Sequence, residues 1–280
     1  ALTLQRTLQI PIGVITCAWG GSRVEGWLPK EILQTYKDED LTLIGSDKTP
    51  VYLQSMLMYN GILYPCHKYT IKGFIWYQGE SNVRSSRTYA ERLATMVKHW
   101  RSIWKQGDLP FYYVQLSSID RPSWTWFRDS QRRLAQTVSN TGMAVSSDRG
   151  DSLNVHPTRK KEIGERLAHW ALNKTYGHNV IPSGPLFRNA TFTDNAAYIT
   201  FDYAKGLRTS DGDPIRTFEI AEQEGLYYPA QAVVENGKVK VWNDQVTHPK
   251  LVRYGWQPFT RANLVNEAGM PASTFRAIKE

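Results

Sequence analysis

The pattern of apolar and polar positions changes character near residue 177 of this 280-residue chain. Ahead of that point, short apolar runs alternate with stretches of helical spacing. Residues 10–18 form an apolar run closed by Gly20 and Gly21, which predicts a buried strand ending in a tight glycine turn. The residues before it read as the end of an amphipathic helix. A second strand is predicted over 71–77, ending at Gln78 and Gly79. A helix follows over 86–105, with Tyr89, Leu93, Met96, Val97 and Trp100 on one face. Strands over 109–116 and 143–147 each lead into a helix, over 126–139 and 158–176, the latter beginning at Pro157. Such alternation predicts an α/β fold with a parallel, doubly wound sheet.

Beyond Gly177 the period shortens. Alternating segments at 197–201, 217–220, 230–234 and 238–242 are separated by Asp-Gly and Asn-Gly turns. The clearest hairpin signal is Asn236-Gly237, because both turn residues of a two-residue hairpin need positive φ. The chain therefore divides into an α/β domain over 1–178 and a small β-sandwich domain over 179–280.

Composition narrows the chemistry. The formal charge of +8 is spread along the chain rather than gathered on one element, which argues against a nucleic-acid partner. The two cysteines, Cys17 and Cys66, lie in no CxxC or Cys/His spacing, so no metal is indicated. They read as one disulfide or two thiols, with Cys17 a small hydrophobe inside the first apolar run. No apolar stretch reaches the ~18 residues of a membrane span, so no membrane insertion is expected.

In an open parallel sheet, ligands bind at the carboxyl ends of the strands. Three strand-end loops are unusual: WGGSRVEGW (residues 19–27), WYQGESN (76–82) and SDRGDSLNVHP (147–157). In the first, Gly21 can present a backbone N–H to an oxyanion, or can simply make a tight turn. In the second, the Gln78 amide can donate to an oxyanion and Glu80 can hold a neighbouring loop or an arginine; alternatively Ser81 or Asn82 caps a helix. In the third, His156 can act as a general base, since imidazole titrates near neutrality, or can serve as a capping residue. The other five histidines lie outside these loops.

Together with MYNGILYP, LPFYYVQLSS, FRDSQRRLAQ and VKVWNDQVTHPKLVRYGW, the three loops resemble the sialate O-acetylesterase family of SGNH-type hydrolases along nearly the whole chain. The resemblance implies a flavodoxin-like parallel sheet with flanking helices. It also implies a serine hydrolase that removes O-acetyl groups from sialic acids, with no metal or organic cofactor. His156 then matches the catalytic base. Gly21, Gln78, Gly79 and Glu80 match the oxyanion and substrate loops, and Arg128 and Gln131 match a helix near the active site. An O-acetylated sugar is the implied partner, and the implied location is secreted or periplasmic, or lysosomal in a eukaryote.

Two departures qualify the match. The family's GQSNM-like nucleophile block occurs nowhere in these residues, so an upstream segment of the same protein is expected to complete the site; Ser22 is the nearest substitute but matches a position that is not the nucleophile. Where many SGNH hydrolases place an aspartate three residues before the histidine, this chain has Leu153. Asp151 is then the nearest carboxylate, with Asn154 or a backbone carbonyl as other ways to orient the imidazole. Two other functions remain open: an esterase for acetyl xylan or another polysaccharide, and a carbohydrate-binding fragment without catalysis.

Overall fold

A computed structural model describes residues 1–279. The first part of the chain carries helices α1 (Leu2–Leu8), α2 (Lys30–Leu33), α3 (Ser86–Trp104), α4 (Trp124–Thr137) and α5 (Lys160–Trp170). Its strands β1 (Phe74–Trp76), β2 (Phe111–Gln115) and β3 (Thr141–Val145) form a parallel sheet in that order, with Phe74 opposite Phe111 and Phe111 opposite Thr141. All five residues of the central strand β2 are buried, as a strand covered on both faces requires. Phe111 and Tyr113 join one apolar core with Leu93, Val97, Trp100, Phe127 and Leu134 of α3 and α4. Tyr112 faces the opposite side and lies against Trp170 of α5, ring centroids 6.1 Å apart.

Two expectations need correction. Residues 10–18 form no strand, and Val14 and Ile15 are exposed. An apolar run becomes a buried strand only when a neighbour takes up its N–H and C=O groups. Among the described residues none does so, and the sheet edge beside β1 is open, with Ile75 exposed. The final helix is also shorter than predicted: α5 starts at Lys160, and after Trp170 its spacing widens into a π-helical turn, Ala171–Thr175.

The remaining strands are β4 (Leu186–Phe192), β5 (Ala197–Asp202), β6 (Arg208–Thr209), β7 (Phe218–Ala221), β8 (Tyr228–Pro229), β9 (Gln231–Glu235), β10 (Lys238–Trp242), β11 (Leu251–Tyr254), β12 (Leu264–Val265) and β13 (Phe275–Ile278). They build two four-stranded antiparallel sheets, β4-β5-β10-β9 and β13-β11-β7-β8, and a small β12-β6 pair. Ile199, Val239 and Val241 from one sheet meet Phe218, Ile220, Tyr254 and Phe275 from the other in a shared core, so the expected sandwich is present. Its β9-β10 hairpin turns at Asn236 (φ 49°) and Gly237 (φ 73°), as the Asn-Gly signal predicts.

A buried joint connects the sandwich to α4. Arg128 is fully buried, and its guanidinium donates to the carbonyls of Gly255 (2.9 Å), Gln257 (2.7 Å) and Pro258 (2.8 Å). Desolvation pushes this guanidinium down to about 9, which still leaves it a cation at neutral pH. Pro258 also accepts from the Ile119 N–H (3.2 Å), and Trp126 meets Trp256 edge to face at 5.0 Å. No helix among the described residues is long and apolar enough to cross a membrane.

Candidate active site

Two of the three loops singled out in the sequence follow strands of the parallel sheet, β1 and β3; the first follows no strand, but side-chain hydrogen bonds join it to the second. Gly21 has φ +77° and is exposed, and a Cβ added there would press on the Tyr52 ring. Its carbonyl accepts from Ser81 Oγ (2.6 Å), while its N–H has no acceptor among the described residues. That leaves a backbone donor without a partner on an exposed glycine, the element an oxyanion site needs.

Gln78 is buried, and its Nε2 donates to the Ser22 carbonyl (2.9 Å) and to Asn82 Oδ1 (2.8 Å). Its Oε1 accepts from Tyr89 OH (2.9 Å). Both amide donors are therefore engaged in joining the first loop to the second. Gly79 allows the chain to pass over α4, since a Cβ there would collide with the Phe127 ring. Glu80 is half-exposed, and its carboxylate has no hydrogen bond or ion pair among the described residues. Gln131 is buried and ties the second loop to β2: Nε2 donates to the Gln78 carbonyl (3.3 Å) and Oε1 accepts from the Leu116 N–H (2.8 Å).

Beneath these loops lies an ionic network that pattern reading misses. Asn82 accepts from the Val24 N–H (2.9 Å) and donates to Glu25 (3.0 Å), and the fully buried Glu25 carboxylate pairs with Arg92 (2.6 Å). Arg92 reaches on to Asp38 (2.5 Å) and lies over the Tyr36 ring. Burial lowers the Arg92 guanidinium pKa, but its bonds to Glu25, Asp38 and Glu39 outweigh burial, and the net shift is upward. A signal for this network exists in the sequence. Arg92 falls three residues after Tyr89 and four before Met96, on the apolar face of α3, where a lone cation requires a buried partner.

The third loop is anchored at its base and open at its tip. Arg166 of α5 holds Asp148 with two bonds, at 2.6 and 2.7 Å. Gly150 passes so close to Ser118 that any Cβ would overlap the serine carbonyl. Ser118 Oγ donates to the Ser147 carbonyl (2.7 Å), and the Asp120 N–H to that of Ser152 (3.1 Å). Past this anchor the chain is exposed: Leu153 is 89% accessible, and His156 is exposed beside the buried Pro157. The imidazole of His156 has no hydrogen-bond partner among the described residues. Lys160, four residues on, donates to Tyr77 OH (3.2 Å) beside Gln78, which draws the third loop toward the second.

Asp151 does not contact the imidazole. Its carboxylate accepts from the N–H groups of Leu153 (2.8 Å) and Asn154 (2.9 Å), which hold it below the usual carboxylate range. Asn154 Oδ1 in turn accepts from the His156 N–H (2.9 Å). Both residues shape the turn that presents the ring. Ser22 is buried with its hydroxyl accepting from Trp27 Nε1 (2.9 Å), so it is unavailable as a nucleophile in this arrangement. Arg128 belongs to the joint with the sandwich and, fully buried there, faces no open site. A concavity of about 510 Å³ lies between the C-terminal ends of α3 and α4. Lys98, Arg101, Lys105 and Asp108 line this open depression, and it has no histidine.

A family model described as carbohydrate esterase, sialic acid-specific acetylesterase, matches residues 1–173. The chain belongs to that family of carbohydrate esterases. It is 27% identical over 241 residues to human sialate O-acetylesterase, covering 78% of this chain and 46% of the relative. The mouse protein of the same name is 26% identical over 267 residues. A solved carbohydrate acetylesterase from Xanthomonas citri superposes with a TM-score of 0.86 at 33% identity, covering 99% of this chain and 63% of that one. The chain thus spans about half the length of the curated relatives it matches.

Proposed function

We propose that this chain forms the base-bearing part of a serine carbohydrate esterase that removes O-acetyl groups from sialic acids. The observation that carries the reading is the family match over residues 1–173, supported by a Gly21 N–H without an acceptor and an exposed His156 imidazole without a partner among the described residues. In the proposed reaction a serine attacks the acetyl carbonyl and His156 takes its proton. The Gly21 N–H stabilises the oxyanion, and water then releases acetate. Gln78, Gly79 and Gln131 hold the loops in place, and Glu80 faces the substrate side.

The nucleophile is assigned to a segment upstream of residue 1. Support comes from the unpaired apolar run at 10–18 and the exposed Ile75 of β1, an edge that one more strand would cover. The reading treats 1–178 as the esterase domain and 179–280 as its accessory domain, acting on glycans in a secreted, periplasmic or lysosomal setting. It is tested by comparing hydrolysis of 4-nitrophenyl acetate by this chain and by a longer version of the protein. Activity on O-acetyl sialic acid is then set against activity on acetyl xylan. The longer protein is expected to be active and the His156→Ala variant inert. A longer protein as inactive as the short one would leave only a carbohydrate-binding role.

A further inference from the structure

Residues 10–18 are held to the rest of the molecule by remarkably little hydrogen bonding. Among the described residues their hydrogen bonds are confined to one side chain, Cys17. Its Sγ lies 3.7 Å from the Ile62 carbonyl and 4.0 Å from Cys66 Sγ, and Cys66 Sγ lies 3.5 Å from that same carbonyl. Sulfur-centred hydrogen bonds are weak, so this attachment is a loose one. Both thiols are half-buried, and the chain has no other cysteine. Four residues after Cys17 comes Gly21, whose N–H has no acceptor among the described residues.

We propose that Cys17 and Cys66 form a reversible intramolecular disulfide that clasps the segment leading into the glycine loop. Closing the gap from 4.0 Å to the ~2.05 Å of a disulfide requires each sulfur to move about 1 Å, within reach of a side-chain rotation. The oxidant is a small-molecule disulfide such as oxidised glutathione. A thiolate at one cysteine attacks it, forming a mixed disulfide and releasing one glutathione thiolate. The second cysteine, deprotonated, attacks the protein-bound sulfur and displaces the other. Two protein S–H bonds are lost and one S–S bond forms, while the glutathione disulfide leaves as two thiols carrying the two protons. Burial and the neighbouring Cys66 push the Cys17 thiol up to about 11, which keeps it protonated at neutral pH and slows its attack on reagents from solution. The bond itself does not depend on the esterase reading; only its influence on Gly21 as an oxyanion donor rests on it.

The test uses the intact 280-residue chain, equilibrated with excess oxidised or with reduced glutathione, then quenched in acid and mapped by peptide mass spectrometry. Oxidation is expected to give a cross-linked Cys17–Cys66 peptide and to slow amide exchange over residues 10–22. Closing a loop of about 50 residues should also raise the unfolding midpoint on the order of 5 °C. Cys66→Ser, with the same treatment, is expected to show none of these changes. Two free thiols, or glutathione retained on either cysteine without a cross-link, would overturn the bond. Unchanged exchange over 10–22 in cross-linked protein would overturn the clasp. Neither outcome depends on esterase activity, so each is distinct from failure of the functional reading.

Discussion

The two sides of the candidate site are built in opposite ways. On the glycine side, Gln78, Asn82, Glu25 and Arg92 are buried and each bonded to the next. On the base side, the Asp148 anchor is firm, but the chain beyond it is exposed and the His156 ring has no partner. Buried polar networks lock a backbone donor in place, because leaving any member unpaired costs more than the bond itself contributes. An exposed ring costs the fold little and can be completed by whatever docks beside it. Stability and catalysis should therefore respond to mutation on opposite sides.

The sharpest way to break that contrast is His156→Ala in the longer, active protein. Esterase activity should fall on the order of 10²–10⁴-fold, read as kcat, with the unfolding midpoint unchanged. A comparable loss of stability would show that the ring is packed in a way the contrast denies. Glu25→Ala should do the reverse. It leaves Arg92 with only Asp38 and Glu39 and should lower unfolding free energy by about 3 kcal/mol in urea titrations, the low end for breaking a buried pair. Gly150→Ala tests the anchor and should cost about 1–3 kcal/mol, because the added methyl has to displace the Ser118 carbonyl. A neutral result there would mean that the third loop is free to shift.

The smallest expected effect is electrostatic. The Leu153 and Asn154 N–H groups lower the Asp151 pKa, so its contribution to loop order is present above the ordinary carboxylate value of about 3.9. That contribution is lost as pH falls through the lower folded value. The Leu153 and Asn154 amide resonances should titrate together below about pH 3.9, and Asp151→Asn should abolish the transition. A change in the His156 ring resonances at the same midpoint would instead mark Asp151 as the ring's partner.

The alternation of strands and helices, the sandwich and its Asn236-Gly237 hairpin were legible because each depends on local periodicity or turn chemistry. The run at 10–18 misled because apolarity reports what a segment would bury, not whether a neighbour is present to bury it. Two of the loops were legible where strands end in unusual polar residues, at Gln78 after β1 and in the His156 loop after β3. The partners were not. Arg128 bonds to carbonyls about 130 positions away, and Asn82 to Glu25 across 57, distances that no local pattern encodes.

Arg128 also bears on how this protein can be rebuilt. A chain cut after residue 178 would keep the arginine inside α4 and discard all three carbonyls that receive its N–H groups. The sandwich is therefore not an interchangeable cartridge. Any chimera that gives the α/β half a new C-terminal module must bring the turn at 255–258 with it, or replace Arg128 with an apolar residue of similar volume.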